Sequence, residues 1–139
     1  FRVADYNARF AANFVKLGLH QGFGISVTLP RIVGTVAASA MLLTGQRLNA
    51  EAAQRIGLVD RLVDGDVREA AITLAEEIAE NAPLAVRSVR KTLREGLVAE
   101  IAAATEHELS EQQWLRATAD AREGIRAVAA REPGRFIGE

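Results

Sequence analysis

Strand-like segments are scarce in this sequence, and most of them lie at its start. Phe1–Ala4 and Ala8–Ala11 read as short strands, with Asp5 and Asn7 as turn formers between them. Leu58–Val63 is a third candidate. Because a strand must pair its N–H and C=O groups with a neighbour, we expect the chain to begin inside a sheet. Its start then looks like a cut end, with further strands upstream.

Helix-forming segments follow, and they dominate the rest of the chain. They cover 25–29, 36–43, 50–56, 67–78, 84–93, 98–116 and 119–130. Pro30 predicts a break or kink after the first of them. Val36–Leu43 is apolar nearly all round, which is typical of a helix buried on most sides. A few strands followed by many helices predict the carboxy-terminal part of an α/β protein with a helical tail.

Composition excludes several classes of function. The chain has 139 residues, a net charge of −1 and no cysteine. Near-neutral charge disfavours non-specific nucleic-acid binding, and the lack of cysteine excludes disulfides and thiolate chemistry and suits the cytoplasm. Arg31 and the stretch 44–47 interrupt the most apolar region, so we expect no membrane span. No metal-ligand spacing of His, Asp and Glu appears.

Five ordered motifs then indicate a family. They are GLHQGFG at 18–24, LPRIVG at 29–34, LTGQRLNAEAAQRIGLV at 43–59, NAPLAV at 81–86 and EGIRA at 123–127. Together they resemble the crotonase, or enoyl-CoA hydratase/isomerase, superfamily along essentially the whole chain. The resemblance implies an acyl-CoA substrate of the kind handled in fatty acid metabolism. It implies no cofactor beyond the coenzyme A that is part of the substrate.

The resemblance also implies an architecture. Residues 1–65 would form the second half of a ββα spiral, and residues 66–139 a helical region that packs into homotrimers or hexamers. Two backbone N–H groups that polarise the thioester carbonyl would lie in the amino-terminal half of the fold, upstream of Phe1. That half is therefore an expected partner, either on another chain or removed by cleavage.

One position departs from the family's pattern. Hydratases of this superfamily carry a glutamate in a Gly-Gln-Pro-Glu run, four residues before a glycine. Phe14 occupies that position here, four residues before Gly18. Phenylalanine can neither accept nor donate a proton, so the two-carboxylate route for adding water is incomplete.

The loop after Gly18 carries the remaining candidates. Other branches place an aspartate there, whereas this chain has His20 and Gln21. The His20 imidazole could act as a general acid or base, or could instead be a loop histidine that binds a neighbouring carbonyl or water. Gln21 would orient a polar group of the substrate. The turn formed by Gly22, Phe23 and Gly24 could bind an anion at a helix start, but close packing beside the acyl group is the favoured interpretation.

Two residues near the end of the chain match family positions that approach coenzyme A. Val128 would contact the adenine, and Arg131 would bind phosphate through its permanent charge, unless it is simply a solvated surface arginine. His107 is interpreted as a surface residue, and Trp114 as an anchor for helix packing or an oligomer contact. Arg87, Arg90, Lys91 and Arg94 are interpreted as the solvated side of a helix.

Two functions therefore remain open. The first is an acyl-CoA hydratase, isomerase or lyase whose oxyanion hole lies in the amino-terminal half. The second is a non-catalytic protein of the same fold that binds acyl-CoA or acts as a scaffold. The replacement of the glutamate by Phe14 is the sequence support for the second.

Overall fold

The computed structural model describes all residues from Phe1 to Glu139. Its strands are β1 Val3–Asp5, β2 Arg9–Ala11, β3 Arg47–Asn49 and β4 Arg61–Val63. A short 3₁₀ helix covers Phe14–Leu17, and the α-helices are α1 Ile25–Thr44, α2 Ala50–Arg55, α3 Val67–Ala79, α4 Pro83–Leu93, α5 Leu97–Leu115 and α6 Ala119–Ala130.

The four strands form two separate pairs. β1 runs parallel to β4, with Val3 opposite Arg61, and β2 runs antiparallel to β3, with Phe10 opposite Leu48. The predicted strand regions are confirmed, with shorter bounds, but the two consecutive strands do not pair with each other. Strand β3 was not predicted, and its last residue, Asn49, also caps α2 through its side chain.

Helix α1 is kinked, but not where the sequence predicted. The helix continues through Pro30, and the break lies at Gly34, whose φ of 78° and ψ of 160° are not helical. The prediction of a break at Leu29–Pro30 is therefore wrong. Proline already has the φ of a helix and costs one hydrogen bond, whereas a residue without Cβ can leave helical geometry altogether.

By length and composition alone, α1 could also cross a membrane, which the sequence analysis did not anticipate. The kink divides it into the shorter segments 25–33 and 35–44. Its residues Leu29, Ala38 and Met41 are buried in the core of the fold. Only 17% of its most apolar stretch is buried within the chain, so the expected absence of a membrane span stays a prediction.

The core is small for a chain of this length. One cluster contains Ala12, Leu29, Ala38 and Met41, and the other contains Ala4, Ala53 and Val59. Only 16 of 139 residues are buried, and the accessible surface is 9566 Å². A folded monomer of 15.0 kDa would expose about 7,000 Å². The chain thus carries roughly 2,500 Å² more surface than a self-sufficient domain of its mass.

Much of this surplus is apolar. Val36 and Leu43 on α1 are 86% and 76% exposed, so the expectation of a helix buried on most sides is wrong for the chain by itself. Helix α4 buries no residue at all, and Leu84 and Leu93 on it are 76% and 72% exposed. These apolar positions lack a cover within residues 1–139.

The last two helices pack on the amino-terminal part of the chain. Helix α6 lies against the 3₁₀ helix and α5 against α1. At Gly124 an added Cβ would lie 2.5 Å from the main-chain carbon of Leu17, and at Gly18 it would lie 2.7 Å from that of Asp120. The two glycines let the backbones of α6 and the 3₁₀ helix touch directly. This contact places the chain end beside the loop that holds His20.

Candidate active site

The loop from Gly18 to Gly24 is built on left-handed backbone conformations. Gly18 ends the 3₁₀ helix with a φ of 66°, and Gly24 precedes α1 with a φ of 68°. Phe23 also has a positive φ, 65°, which is uncommon for a residue with a Cβ. Such a strained position persists only when its surroundings hold it in place.

A cavity of about 600 Å³ opens beside this loop. His20 and Gln21 line it from the loop, and Leu42 and Trp114 contribute apolar wall from α1 and α5. The remaining lining residues come from the 3₁₀ helix, the loop, α1, the end of α5, the start of α6 and the tail, and they are Val15, Gly18, Leu19, Ser39, Leu43, Leu115, Thr118, Asp120, Phe136, Gly138 and Glu139. A cavity of this size that combines apolar walls with a few polar groups suits a small-molecule ligand.

The imidazole of His20 has one nitrogen committed. Its Nδ1 lies 2.8 Å from the main-chain oxygen of Gln21. A carbonyl can only accept, so Nδ1 carries a proton in this hydrogen bond, and in the neutral ring Nε2 keeps its lone pair. One alternative from the sequence, a histidine that binds a neighbouring carbonyl, is thus observed. It does not exclude the other, because Nε2 remains able to accept a proton.

Helix α5 holds this loop from behind. Gln112 donates from Nε2 to the main-chain oxygen of His20 at 2.9 Å, and the ring of His107 lies edge-on to that of His20 with centroids 5.8 Å apart. An added Cβ at Gly22 would lie 2.9 Å from Nε2 of Gln112. His107 is exposed, as predicted, yet it touches the site.

A buried carboxylate occupies the start of α1. Glu108 is 1% exposed, and its two oxygens accept hydrogen bonds from the main-chain N–H groups of Gly24 at 2.7 Å and Ser26 at 2.9 Å. The helix start that could have bound an anion is therefore filled by the chain's own anion. Packing, the favoured interpretation of the Gly22-Phe23-Gly24 turn, agrees with this geometry.

The sequence analysis missed Glu108, although a signal existed. Ile101, Thr105, Glu108 and Gln112 follow one another at spacings of four, three and four residues, which is one stripe of a helix. A glutamate on a stripe with Ile101 is expected to be buried or partnered. What the sequence does not show is the partner, which lies 84 positions away.

Phe14 and Phe23 lie together but outside the His20 cavity. Their ring centroids are 6.5 Å apart with an interplanar angle of 49°. Phe14 is half-buried and Phe23 is exposed. The two rings form an apolar patch that does not line the His20 cavity.

Val128 and Arg131 are neighbours at the end of α6. The N–H of Arg131 donates to the oxygen of Val128 at 3.2 Å, and Arg131 ends the helix with a φ of 58°. Both side chains are exposed, and neither lines the His20 cavity. The Arg131 guanidinium makes no ion pair, so it is available to a ligand.

Comparison with known proteins identifies the family. The model of the family described as enoyl-CoA hydratase/isomerase matches residues 1–138. The chain belongs to this family. It is 36% identical to a short-chain-enoyl-CoA hydratase of Clostridioides difficile over 125 residues, 89% of this chain and 81% of that protein. It is 35% identical to the 2,3-dehydroadipyl-CoA hydratase of Escherichia coli K12 over 137 residues, 98% of this chain and 54% of that protein.

Solved structures show the same fold. A carnitinyl-CoA hydratase from Mycobacterium avium superposes with a TM-score of 0.87 at 31% identity, covering 99% of this chain and 54% of that one. The chain spans about half the length of most of the relatives it matches. The predicted crotonase-type α/β fold, corresponding to half of the complete spiral, is confirmed.

As a member of the enoyl-CoA hydratase/isomerase family, this chain offers few groups for proton transfer at the cavity. The ionisable side chains on its lining are His20, Asp120 and Glu139. Both oxygens of Asp120 already accept, from the N–H groups of Ile137 at 2.8 Å and Gly138 at 2.9 Å. No group of three or more side chains could hold a metal ion. His20 and Glu139 are the groups left with a free proton-accepting atom, and of the two only His20 belongs to the loop.

A second charged cluster lies at the end of the chain. Arg126 binds both oxygens of Glu123, at 2.7 and 2.9 Å, and one of Glu132 at 2.9 Å. The pKa of Glu123 is lowered to about 2, chiefly by the hydrogen bond from Arg126 and then by the main-chain N–H of Arg135. The same carboxylates raise the pKa of Arg126. This cluster fixes the tail segment that carries Phe136 to the cavity.

Proposed function

We propose that this chain forms one wall of an acyl-CoA site in an enzyme of the enoyl-CoA hydratase/isomerase family. The observation that carries the proposal is the His20 cavity of about 600 Å³, where one imidazole nitrogen is free to exchange a proton. Family membership supports the thioester as substrate class, since the relatives named above are hydratases of acyl-CoA compounds.

The opposite wall would come from the amino-terminal half of the fold. In the family resemblance, that half supplies the two N–H groups that stabilise the enolate-like anion. The surplus surface of roughly 2,500 Å² supports this. An obligate interface buries about 2,000–5,000 Å² over both partners. The Phe14–Phe23 patch would then face the cleft between the halves.

The chemistry proposed for the site follows from what Phe14 lacks. A phenyl ring at the glutamate position removes one of the two carboxylates of the hydratase mechanism. We propose that the enzyme performs isomerase or lyase chemistry with an acid from the amino-terminal half, or a weakened hydration. In each case His20 accepts or donates a proton at Nε2, and Gln21 orients a polar group of the substrate.

Binding of coenzyme A is proposed for the end of α6. The free guanidinium of Arg131 suits a phosphate, because it is always charged and donates several hydrogen bonds. Val128, 42% exposed beside it, offers an apolar contact for the adenine. The enzyme would need no cofactor other than the coenzyme A of its substrate, and we propose a cytoplasmic location.

A homotrimer or hexamer is proposed for the assembly. Helix α4 exposes Leu84, Val89 and Leu93, and the neighbouring start of α5 exposes Val98. This is more apolar helix surface than a monomer leaves in water. Packing of the helical region, residues 66–139, between copies of the chain would cover it.

The second candidate is a non-catalytic acyl-CoA-binding or scaffolding protein. The absence of an acidic side chain at Phe14, together with the occupied oxygens of Asp120, favours it. Such a protein would bind the thioester without turning it over.

The test compares both candidates in the intact protein that contains residues 1–139. Crotonyl-CoA hydration, enoyl-CoA isomerisation and binding of an acyl-CoA analogue would be measured for the wild type and His20→Ala. We expect turnover that falls by about 100-fold in His20→Ala with binding retained. Binding without any turnover would establish the second candidate. Full-rate hydration that is unaffected by His20→Ala would contradict the first.

A further inference from the structure

Two side chains of α5, one turn apart, hold both ends of the His20 loop. Gln112 donates to the main-chain oxygen of His20 at 2.9 Å. Glu108 accepts from the N–H groups of Gly24 at 2.7 Å and Ser26 at 2.9 Å. Between these anchors Phe23 has a positive φ of 65° and an exposed side chain, so its own side chain does little to hold the loop.

Glu108 is an unusual residue for its surroundings. It is 1% exposed and takes part in no ion pair. A buried carboxylate without a cation is tolerated only when hydrogen bonds and local dipoles compensate it. Here the first N–H groups of α1 do so, since the start of a helix carries partial positive charge. A glutamine at position 108 would keep one accepting oxygen and turn its NH2 group, a donor, toward the N–H of either Gly24 or Ser26, so one of the two hydrogen bonds would be lost.

The hydrogen bonds continue from Glu108 to the imidazole. Ser26, held by its N–H, accepts from Nε2 of Gln21 at 3.0 Å through its hydroxyl oxygen. The main-chain oxygen of Gln21 in turn accepts from Nδ1 of His20 at 2.8 Å. Each link fixes the next group, so the orientation of the ring depends on a carboxylate that the ring never touches.

We infer that Glu108, assisted by Gln112, is a positioning residue that fixes the His20 imidazole toward the cavity. The inference rests on the proposed function, which gives His20 its proton transfer. Glu108 does not face the cavity and lies behind the loop. Its loss should therefore lower kcat, which depends on the alignment of the imidazole, and leave KM nearly unchanged.

The experiment is a double-mutant cycle in the intact enzyme with crotonyl-CoA or the acyl-CoA it turns over best. Glu108→Gln keeps the shape of the side chain and removes its charge, and Glu106→Gln changes an exposed glutamate on the same helix as the matched control. We expect Glu108→Gln to lower kcat by about 10- to 100-fold, as a misplacement of about 1 Å can, with KM within about twofold. Glu106→Gln should match the wild type.

The cycle separates positioning from a general structural role. In a His20→Ala background, Glu108→Gln should lower kcat no further, because the group it positions is gone. An unchanged kcat in Glu108→Gln, or a full additional loss in the His20→Ala background, overturns the inference. If Glu108→Gln does not fold, Gln112→Ala gives the same test on a half-buried residue, with the same expected direction.

Failure of the proposed function has a different signature. His20→Ala with wild-type turnover would refute the role of His20. If no acyl-CoA is turned over at all, amide hydrogen exchange still reports on how firmly Glu108 and Gln112 hold the His20 loop. Glu108→Gln should then raise exchange at residues 20–26 by about tenfold and leave α3 unchanged. Equal exchange in both proteins overturns the inference.

Discussion

Single residues decide which reaction this site can perform. Phe14 and His20 lie within one short stretch, yet only His20 has an atom that can move a proton. The phenyl ring of Phe14 lies against Phe23, outside the His20 cavity. Chemistry at this site is therefore limited by one side chain more than by the fold around it.

Restoring a carboxylate at position 14 should restore hydration. For Phe14→Glu in the intact protein we expect crotonyl-CoA hydration to rise by at least about tenfold, since a general acid or base contributes about 10²–10⁴-fold when well placed. Phe14→Gln, which resembles glutamate in shape but transfers no proton, is the control. An equal gain in both variants would show that removing the ring, and not adding an acid, is responsible. Initial rates at saturating substrate decide the matter.

Residue-level prediction from the sequence succeeded where the signal was local. The caps Asp66 and Thr118 accept hydrogen bonds from the following turns as their residue types predict. His20 and Gln21 line a cavity, while their roles there stay predictions. The role of Glu108 was not predicted, because its hydrogen-bond partners Gly24 and Ser26 are more than 80 positions away in the sequence. Periodicity along one helix cannot say which distant N–H groups a glutamate will meet.

At the scale of elements, contact between α6 and the 3₁₀ helix connects the end of the chain to the site. Gly124 lies where any Cβ would meet the backbone of Leu17 at 2.5–2.8 Å. Backbone atoms cannot rotate away as a side-chain end can. The two elements therefore approach this closely only with glycine at position 124.

Gly124→Ala should destabilise the protein even though alanine is the better helix former. We expect a loss of about 1–3 kcal/mol from overpacking, which outweighs the gain of about 1 kcal/mol in helix propensity. The measurement is the free energy of unfolding in urea. Ala129→Gly, at an exposed position of the same helix, should cost about 1 kcal/mol through propensity alone. A Gly124→Ala variant more stable than the wild type would contradict the contact.

The tail cluster predicts a pH dependence at low pH. The folded-state pKa of Glu123, about 2, lies below its ordinary value of 4.5. Between these values the unfolded chain binds the extra proton, so the contribution of Glu123 to stability is complete above about pH 4.5 and is lost as the pH falls toward 2.

Glu123→Gln should remove that dependence. Its free energy of unfolding is expected to be lower than that of the wild type at pH 6, and the difference should shrink steadily from pH 4.5 to pH 2. Glu76→Gln, at an exposed glutamate of α3 without an ion pair, is the control. Chemical unfolding at several pH values gives the comparison. A difference that stays constant with pH would mean that the Arg126 contact does not persist in solution.

Helices could be predicted where residues at their ends mark the boundary, whereas a short strand that forms only by pairing with a distant strand could not. Pro83 at the first turn of α4 was enough to place that helix. β3 was missed because three residues make a strand only by meeting β2, and the sequence around Arg47–Asn49 shows no alternation long enough to predict it. The kink was predicted at Pro30 and lies at Gly34. Proline often marks the end of a helix in a sequence, but a helix can continue through it, as α1 does.

At the scale of the whole molecule, surface area is the dominant fact. The chain exposes 9566 Å², where about 7,000 Å² would suffice for its mass. The four strands form only two-stranded pairs, and pairs of that size are marginal in water. Residues 1–139 by themselves therefore leave much apolar surface in water, which supports the proposed partner surfaces.

The exposed face of α4 is where copies of the chain are proposed to meet, and it can be tested without disturbing the active site. Leu84 and Leu93 contact no core residue, so changing both to Asp should leave the fold of the protomer intact. If α4 is buried between protomers, two buried charges per copy would cost more than the contact provides, and the assembly should dissociate. Light scattering after gel filtration of the intact protein measures this.

Arg87→Asp and Arg90→Asp alter charge on the same helix at positions that are exposed and polar, and they serve as the control. Dissociation by both pairs of substitutions would indicate general charge repulsion, whereas an intact assembly with Leu84→Asp and Leu93→Asp would place the interface elsewhere. Loss of the assembly by the leucine variants alone would connect the surplus surface of the isolated chain to the oligomer proposed for it.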